Sequence, residues 1–336
     1  MKKTALFMTI LLLGFSGQTT AGKYAAEFLR IGVGARALGL GGAYVAMADD
    51  GTASYWNPAG LADLSHHQVL FSHIQLFDNL ASHNFVNCSI RLGNDMGMGL
   101  SWIRLAIDEI PRYGELLGTR YDRILDPKLR SSGIPIGYFA DVEDAFMLSF
   151  ARAFDFDLLI GTSLMPATIF TRLSLGVSYK FISQKLDQSE GKGQGLDLGL
   201  RLSLMSSASE GGDQPRCLTL GLNLQDLAGT PVVWNTAQHT RDRLPINWLM
   251  GLSFTEPLPW LGGRATCSLE RDHSYETVNR LGAELMLFEF ISVRGGLQND
   301  HWTAGAGFRV YLLKLDYAFV NDDLGNSHRI SGAVEF

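Results

Sequence analysis

The sequence predicts an all-β chain: a transmembrane antiparallel β-barrel of about fourteen strands with an N-terminal plug segment. Three features carry this reading. Period-2 alternation of apolar and small or polar residues runs from about residue 66 to the end. The chain opens with a basic-then-apolar leader. No later window holds an apolar run of the ~18–20 residues that a membrane helix needs.

The leader comes first. Lys2 and Lys3 precede the apolar run Ala5 to Phe15, then polar Ser16–Thr20 and small Ala21-Gly22. A basic start, a short apolar middle and a small-residue site define a secretory signal peptide, residues 1–21, cut near Ala21. The run is too short to cross a bilayer as a helix. No cysteine stands at the cleavage site, so a lipoprotein is not expected, and the mature chain is exported.

Composition narrows the rest. The 336 residues carry a formal charge of −6 with no Lys/Arg run, which excludes the electrostatic footprint of a nucleic-acid binder. Apolar residues at 46% and aromatics at 10% exclude a disordered chain. Cys88, Cys217 and Cys267 are too scattered for a disulfide framework or a CxxC metal site. Neither a metal nor a cofactor is expected.

The alternation assigns faces. Leu173, Leu175, Val177, Tyr179 and Phe181 alternate with Ser174, Gly176, Ser178 and Lys180, and Leu196 to Leu204 alternate with Gly195, Asp197, Gly199, Arg201 and Ser203. The last strand sets Ile330, Gly332, Val334 and Phe336 against Arg329, Ser331, Ala333 and Glu335. A soluble sandwich would carry many Lys and Glu on its wet face. Here the polar face is Gly, Ser, Asn and Thr with charges of both signs: Arg91, Lys180, Arg201, Arg264, Arg280, Arg294, Arg309 and Arg329 beside Asp197, Glu270, Glu284, Asp316 and Glu335. That pattern suits a closed lumen in which opposite charges pair while Leu, Val and Tyr face hydrocarbon. Closure also removes the sheet edge.

Connections should then alternate, short on the side of the chain ends and long on the other. Gly93-Asn94-Asp95, Phe288-Glu289 and Tyr311-Leu312-Leu313 read as tight inner turns, and 108–144 and 227–245 as long outer connections. One inner link, about 155–171, is longer than this scheme expects. The terminal Phe336, with apolar residues at alternate positions before it, resembles the C-terminal signal read by the barrel-assembly machinery. The location expected is the outer membrane of a Gram-negative (diderm) bacterium, with outer-membrane lipid as the surrounding partner.

Residues 22–65 do not alternate and read as a plug, leaving 66–336 as the barrel. A phosphate-binding role for the glycines is poor because no strand–loop–helix unit surrounds them. They suit tight turns and close backbone packing instead. Asn57-Pro58 reads as a turn opener whose Asn bonds its own backbone.

These residues carry a resemblance. The run GARALGLGGAYVAMADDGTASYWNPAGLA, Gly34 to Ala62, resembles the N-terminal signature of the PorV/PorQ family, a branch of the FadL-like outer-membrane barrels. KLDYAFV (Lys314 to Val320) and DLGNSHRIS (Asp323 to Ser331) are similar to that family's last hairpin. Asn57-Pro58-Ala59-Gly60 is shared with FadL itself. The resemblance implies fourteen strands and a plug whose motif residues are Gly34, Arg36, Gly39, Gly41, Gly42, Asp49, Asp50, Trp56, Asn57, Pro58, Ala59 and Gly60.

It also implies one of two non-enzymatic functions. As a type IX secretion component, the barrel would bind secreted proteins by their C-terminal sorting domains, alongside other secretion-system subunits. The outer connection offers Tyr113, Arg120, Tyr121 and Arg123 as candidate partner-binding residues, a composition suited to protein recognition. As a FadL-like passive transporter, it would carry a hydrophobic ligand. Against a greasy tunnel, the inward list is mostly Gly, Ser, Asn and paired charges. The apolar plug residues Leu38, Leu40, Tyr44, Val45 and Met47 read as packing before they read as a pocket. His66, His67, His73 and His83, with Asp78, have no diagnostic spacing and are expected on the barrel rim, as are His273 and His301 beside outer turns.

Overall fold

The computed structural model describes residues 26–77, 79–129, 133–162, 165–206, 215–237, 239–273, 277–322 and 325–336. The leader expected over 1–21 and Asp78 lie outside them. Sixteen strands form one antiparallel sheet. They are β1 (Gln68–Leu76), β2 (Ala81–Leu92), β3 (Met96–Arg112), β4 (Gly137–Thr162), β5 (Met165–Leu186), β6 (Ser189–Ser206), β7 (Cys217–Gln225) and β8 (Thr230–Trp234). After these come β9 (Arg241–Leu244), β10 (Asn247–Leu258), β11 (Gly263–His273) and β12 (Thr277–Leu287). The last are β13 (Ile291–Gln298), β14 (His301–Val310), β15 (Leu313–Val320) and β16 (Ser327–Glu335).

β1 pairs with β16, from Gln68 opposite Glu335 to Ile74 opposite Arg329, and this closes the sheet. β8 and β9 are a hairpin hydrogen-bonded to the start of β6, prolonging β7 and β10 past a break at residues 226–229 and 245–246. The barrel proper is therefore a closed antiparallel barrel of fourteen strands, as the alternation predicts. Among the described residues no helix is long and apolar enough to cross a membrane.

The end bearing Gln68 and Glu335 is here the near end, the opposite one the far end. Near-end turns are short at 93–95, 288–290 and 311–312, because Gly93, Phe288, Glu289 and Tyr311 adopt the positive φ that tight hairpins require. Two expected connections shrink. The first is 113–136 rather than 108–144, since β3 and β4 run on past the rim with a register shift between Ile107 and Ile110. The second, 227–245, contains β8 and β9. In the long inner link expected at 155–171 every described residue is strand: β4 and β5 stay paired from Asp141↔Leu186 to Thr162↔Met165. Alternating Phe and Asp over 154–157 is strand chemistry that the expected loop overlooked.

All thirteen charged residues assigned to the lumen lie on inward positions of their strands. Outside, Phe71, Leu148, Tyr179, Leu198, Leu220, Phe254, Val293, Phe308 and Ile330 make an apolar surface around the barrel. A polar row bounds it at the far end on β1–β4. His73 Nδ1 lies 2.7 Å from Asn84 Oδ1, and Arg104 donates to both Asp144 oxygens at 2.7 and 2.9 Å. Trp102 Nε1 joins Asp144 at 2.8 Å, the tip of an aromatic ring placed at an interface.

The inner face departs from the expected list in one sector. β1–β5 turn Leu70, Ile74, Phe85, Ile103, Met147 and Ile182 inward, all buried. Both faces of these strands carry apolar residues, so alternation alone hides the second set. His83 is in this wall, buried and inward, not on the rim where it was expected.

In a bilayer, Leu198→Arg on the outer face is expected to cost about 2–4 kcal/mol of folding free energy near mid-depth. Unfolding titrations of wild type and variant in lipid vesicles measure it, and a neutral result would reverse the face assignment of β6.

Candidate functional site

The lumen is occupied by residues 26–65 of the same chain. Two short helices, α1 (Ala35–Gly39) and α2 (Ala53–Trp56), and a 3-10 turn over Pro58–Asp63 punctuate an otherwise irregular path. Nearly every residue from Val33 to Leu64 is buried. A backbone with so little regular structure must find partners for its polar groups elsewhere, and it finds them on the barrel wall.

Arg36 is the hub. Its Nε and Nη2 bond the two Glu284 oxygens of β12, each at 3.0 Å, the bidentate geometry that suits guanidinium and carboxylate. Its Nη1 bonds Tyr44 Oη at 3.0 Å and Asp49 Oδ1 at 2.5 Å. The Tyr44 hydroxyl donates in turn to Asp50 Oδ2 at 2.9 Å. Glu284 also accepts from Arg294, which reaches Asp316, both at 2.6 Å. On β11, Glu270 accepts the Tyr44 and Val45 amides at 2.8 and 2.7 Å and pairs with Arg280 at 2.7 Å. Asp63 closes the segment between Arg201 at 2.5 Å and Arg172 at 2.6 Å.

Glycines set how close the segment comes. A Cβ on Gly97 would strike the Leu61 carbonyl, on Gly176 the Pro58–Ala59 peptide, on Gly199 the Asn57 side chain, and on Gly296 the Leu40–Gly41 peptide. The polar face is rich in glycine because another backbone lies against it. Asn57 holds this contact: Nδ2 donates to Val45 O at 2.9 Å and to the β6 carbonyl of Leu200 at 3.1 Å, while Oδ1 accepts from Ala59 N at 3.2 Å. Gly60 packs on the Ala48 carbonyl. Gly34, Gly41 and Gly42 take positive φ, and Gly39 meets the Gly305 backbone. Trp56 Nε1 donates to Val33 O at 2.9 Å. The twelve motif residues thus converge in the lumen.

Cavities lie at both ends of the segment. The far one, ≈ 390 Å³, is lined by apolar Leu29, Leu38, Trp56, Leu76, Met147 and Leu249 and by charged Lys180, Asp197, Arg280 and Arg329. The near one, ≈ 350 Å³, is lined mainly by charge, including Arg36, Asp49, Asp63, Arg264, Arg309 and Lys314. Of the apolar segment residues singled out by sequence, only Leu38 reaches the far cavity; Leu40, Tyr44, Val45 and Met47 are packed away. Lys180 sits between Asp197 at 3.0 Å and Asp226 at 2.9 Å. Among the described residues no group of three or more His, Cys, Asp or Glu could hold a metal ion.

The candidate loop residues stand apart from the lumen. Arg120, Tyr121 and Arg123 lie on α3 (Arg120–Leu125), where Thr119 and Asp122 form a capping box and the hydroxyl and amide of Thr119 lower the Asp122 carboxyl's pKa. No residue of α3 is buried, and Tyr113 is exposed. Phe336 pairs its backbone with His67 at 2.9 and 3.1 Å. Sequence reasoning missed Glu284, Glu270 and Arg172 as anchors of the lumenal segment. Each sits in the list of polar-face charges or beside it, but nothing in one sequence says which charges meet residues 26–65.

The class defined by this geometry is a fourteen-strand barrel whose lumen holds its own N-terminal segment. No protein-family model matches the chain, and no curated protein does. Among solved structures it is similar to the toluene transporter TbuX of Ralstonia pickettii, at 14% identity over 91% of this chain and 98% of that one, with a TM-score of 0.44. It is also similar to the toluene transporter TodX of Pseudomonas putida, at 12% identity over 90% and 97% with a TM-score of 0.41. A FadL homologue of Pseudomonas aeruginosa shares 10% identity over 96% and 100%, with a TM-score of 0.40.

Gly199→Val is expected to unseat the Asn57–Gly60 turn, since the added side chain meets the buried Asn57 amide, the Pro58 ring and the Ala59 backbone nitrogen. Limited proteolysis of the assembled barrel should then cut within residues 40–65, which wild type protects. Equal protection in both would refute the close approach as the holding contact.

Proposed function

We propose that the chain spans the outer membrane with its near end in the periplasm, that residues 26–65 close the lumen as a plug, and that the far cavity admits hydrophobic small molecules for passive transport. The observation that carries this is the inward apolar sector of β1–β5, with Leu70, Ile74, Phe85, Ile103, Met147 and Ile182 packed in one cluster with Phe28 and Leu29 of the plug. A water-filled pore has a polar lumen, and this one has an apolar stripe that meets a cavity at Leu29 and Met147. A cavity of that size, apolar on one side with a few placed charges, has the make-up of a small-molecule site. The barrel acts by binding, and no catalytic role is assigned.

A second reading has its own observation. The outer connection and the start of β4 beyond it expose Leu116, Leu117, Tyr121, Ile124, Leu125, Ile134, Ile136 and Tyr138, beside Arg120 and Arg123. Exposed apolar groups in such number mark interaction surfaces. In this reading the loop binds secreted proteins by their C-terminal sorting domains, as a type IX secretion component of the PorV/PorQ kind.

Protein purified from native outer membranes in mild detergent, followed by mass spectrometry of bound molecules, separates the two. Bound apolar small molecules, reduced about tenfold by Met147→Gln through a polar group left unpaired in the site, are expected for transport. If Met147→Gln leaves binding unchanged, the cavity is not the site. Large secreted proteins sharing a C-terminal domain, lost when residues 114–135 are replaced by a short Gly/Ser linker, would favour the second reading.

A further inference from the structure

β4 and β5 outrun their neighbours at the near end. The last β3 residue paired with β4 is Met96, opposite Arg152, and one further bond joins Ala153 N to Asp95 O at 2.6 Å. From Phe154 to Thr162, β4 pairs with β5 alone. On the same strand the polar row marking the far limit of the apolar exterior falls at Asp144. An apolar band ~25 Å tall crossed by a strand tilted ~40°, rising ~3.3 Å per residue, takes about ten residues, which puts its near limit close to Phe154. The rest of the hairpin therefore projects beyond the membrane, with Phe156, Leu158 and Leu159 exposed.

Because Ala153 turns its amide toward β3, the strand's alternation turns the N–H and C=O of Asp155, Asp157 and Leu159 the same way, where no strand of the described residues lies. Such an edge is a template for another strand, and proline, lysine, a bulge or an inward-pointing charge is what blunts it against copies of itself. Residues 153–159, Ala-Phe-Asp-Phe-Asp-Leu-Leu, contain neither proline nor lysine, and the pairing to β5 runs without a register shift. The charges present are both acidic. Asp157 has no ion-pair partner among the described residues, whereas Asp155 is held by Arg172 at 2.8 Å. A second copy of this edge would set like charges together, which is unfavourable. A strand alternating basic with apolar residues would meet Asp155 and Asp157 on one face and Phe154, Phe156 and Leu158 on the other.

We propose that this edge of β4 is a docking site for a periplasmic polypeptide that adds one β-strand, with basic residues alternating with apolar ones. The inference rests on the orientation given under Proposed function. It gives the projection a link to the plug, since Arg172 bonds Asp155 and, from the same guanidinium, Asp63 at 2.6 Å and Ala62 O at 3.0 Å. A strand seated beside Asp155 sits next to the last ion pair of the lumenal segment.

The test uses the full chain in its own outer membrane with photo-reactive benzoylphenylalanine in place of Phe156. Illumination should give a protein adduct whose cross-linked peptide alternates basic and apolar residues. Asp157→Pro, which removes one edge amide, should abolish it, while Asp157→Ala, which removes the charge alone, weakens it. Leu159→Pro, further along the same edge, should give the same loss and serves if the first proline variant does not assemble, as judged by heat-modifiable migration. Adducts to lipid only, to a helical or acidic segment, or undiminished by both prolines would overturn strand addition. Separately, Leu159→Cys should resist a membrane-impermeant maleimide in intact cells and react after outer-membrane permeabilisation. Labelling in intact cells would instead overturn the orientation and, with it, the periplasmic partner.

Discussion

Every backbone N–H and C=O taken out of contact with water needs a hydrogen-bond partner, and this requirement organises the molecule twice over. On the wall it selects the closed ladder, sealed where β1 meets β16. In the lumen the same demand falls on an irregular segment with only two short helices. There the wall's side chains answer it: Glu270 takes the Tyr44 and Val45 amides, Ser331 the Ala35 amide, Gln68 the Gly51 amide, and Thr303 donates to the Gly39 carbonyl. The polar face of the strands is complementary to one particular backbone path.

Charge burial follows the same logic. Removing one partner of a buried ion pair costs about 3–5 kcal/mol because the other is left uncompensated. Arg36, Glu284, Arg294 and Asp316 form a chain in which Glu284 and Arg294 are each shared by two partners, so the cost of displacing the segment is concentrated along β12, β13 and β15. Glycines on the strands let the segment's backbone lie directly against the wall. Placing bulk at Gly199 or Gly296 would lengthen the bonds around it as well as create a clash.

The barrel, its strand number and its lumenal charges were legible because period 2 records two different environments, and strands from Leu173 onward keep those environments chemically distinct. β1–β5 were harder, since Val69, Leu70 and Phe71 are apolar on both faces and the inward set disappears into the run. The Asn57-Pro58-Ala59-Gly60 turn could be recognised as a turn, but its seat on Gly176 and Gly199 joins residues more than a hundred positions apart. The near-end projection was hidden by expectation: a rule of short inner turns made a loop of residues that read Phe-Asp-Phe-Asp.

The lumenal segment is therefore held unequally. Toward β11–β16 it is tied by buried ion pairs and side-chain-to-backbone bonds, which water or an apolar molecule replaces poorly. Toward the far halves of β1–β4 it is held chiefly by apolar contact, with Phe28, Leu29 and Val33 in one cluster with Ile74, Phe85, Ile103 and Met147. Apolar contact is not directional. A hydrophobic molecule entering between the segment and that wall exchanges one apolar neighbour for another, whereas passage along the opposite wall would have to separate Arg36 from Glu284. The energetic asymmetry thus makes one side of the lumen the easier one to part from the segment, the side on which the far cavity reaches Leu29 and Met147.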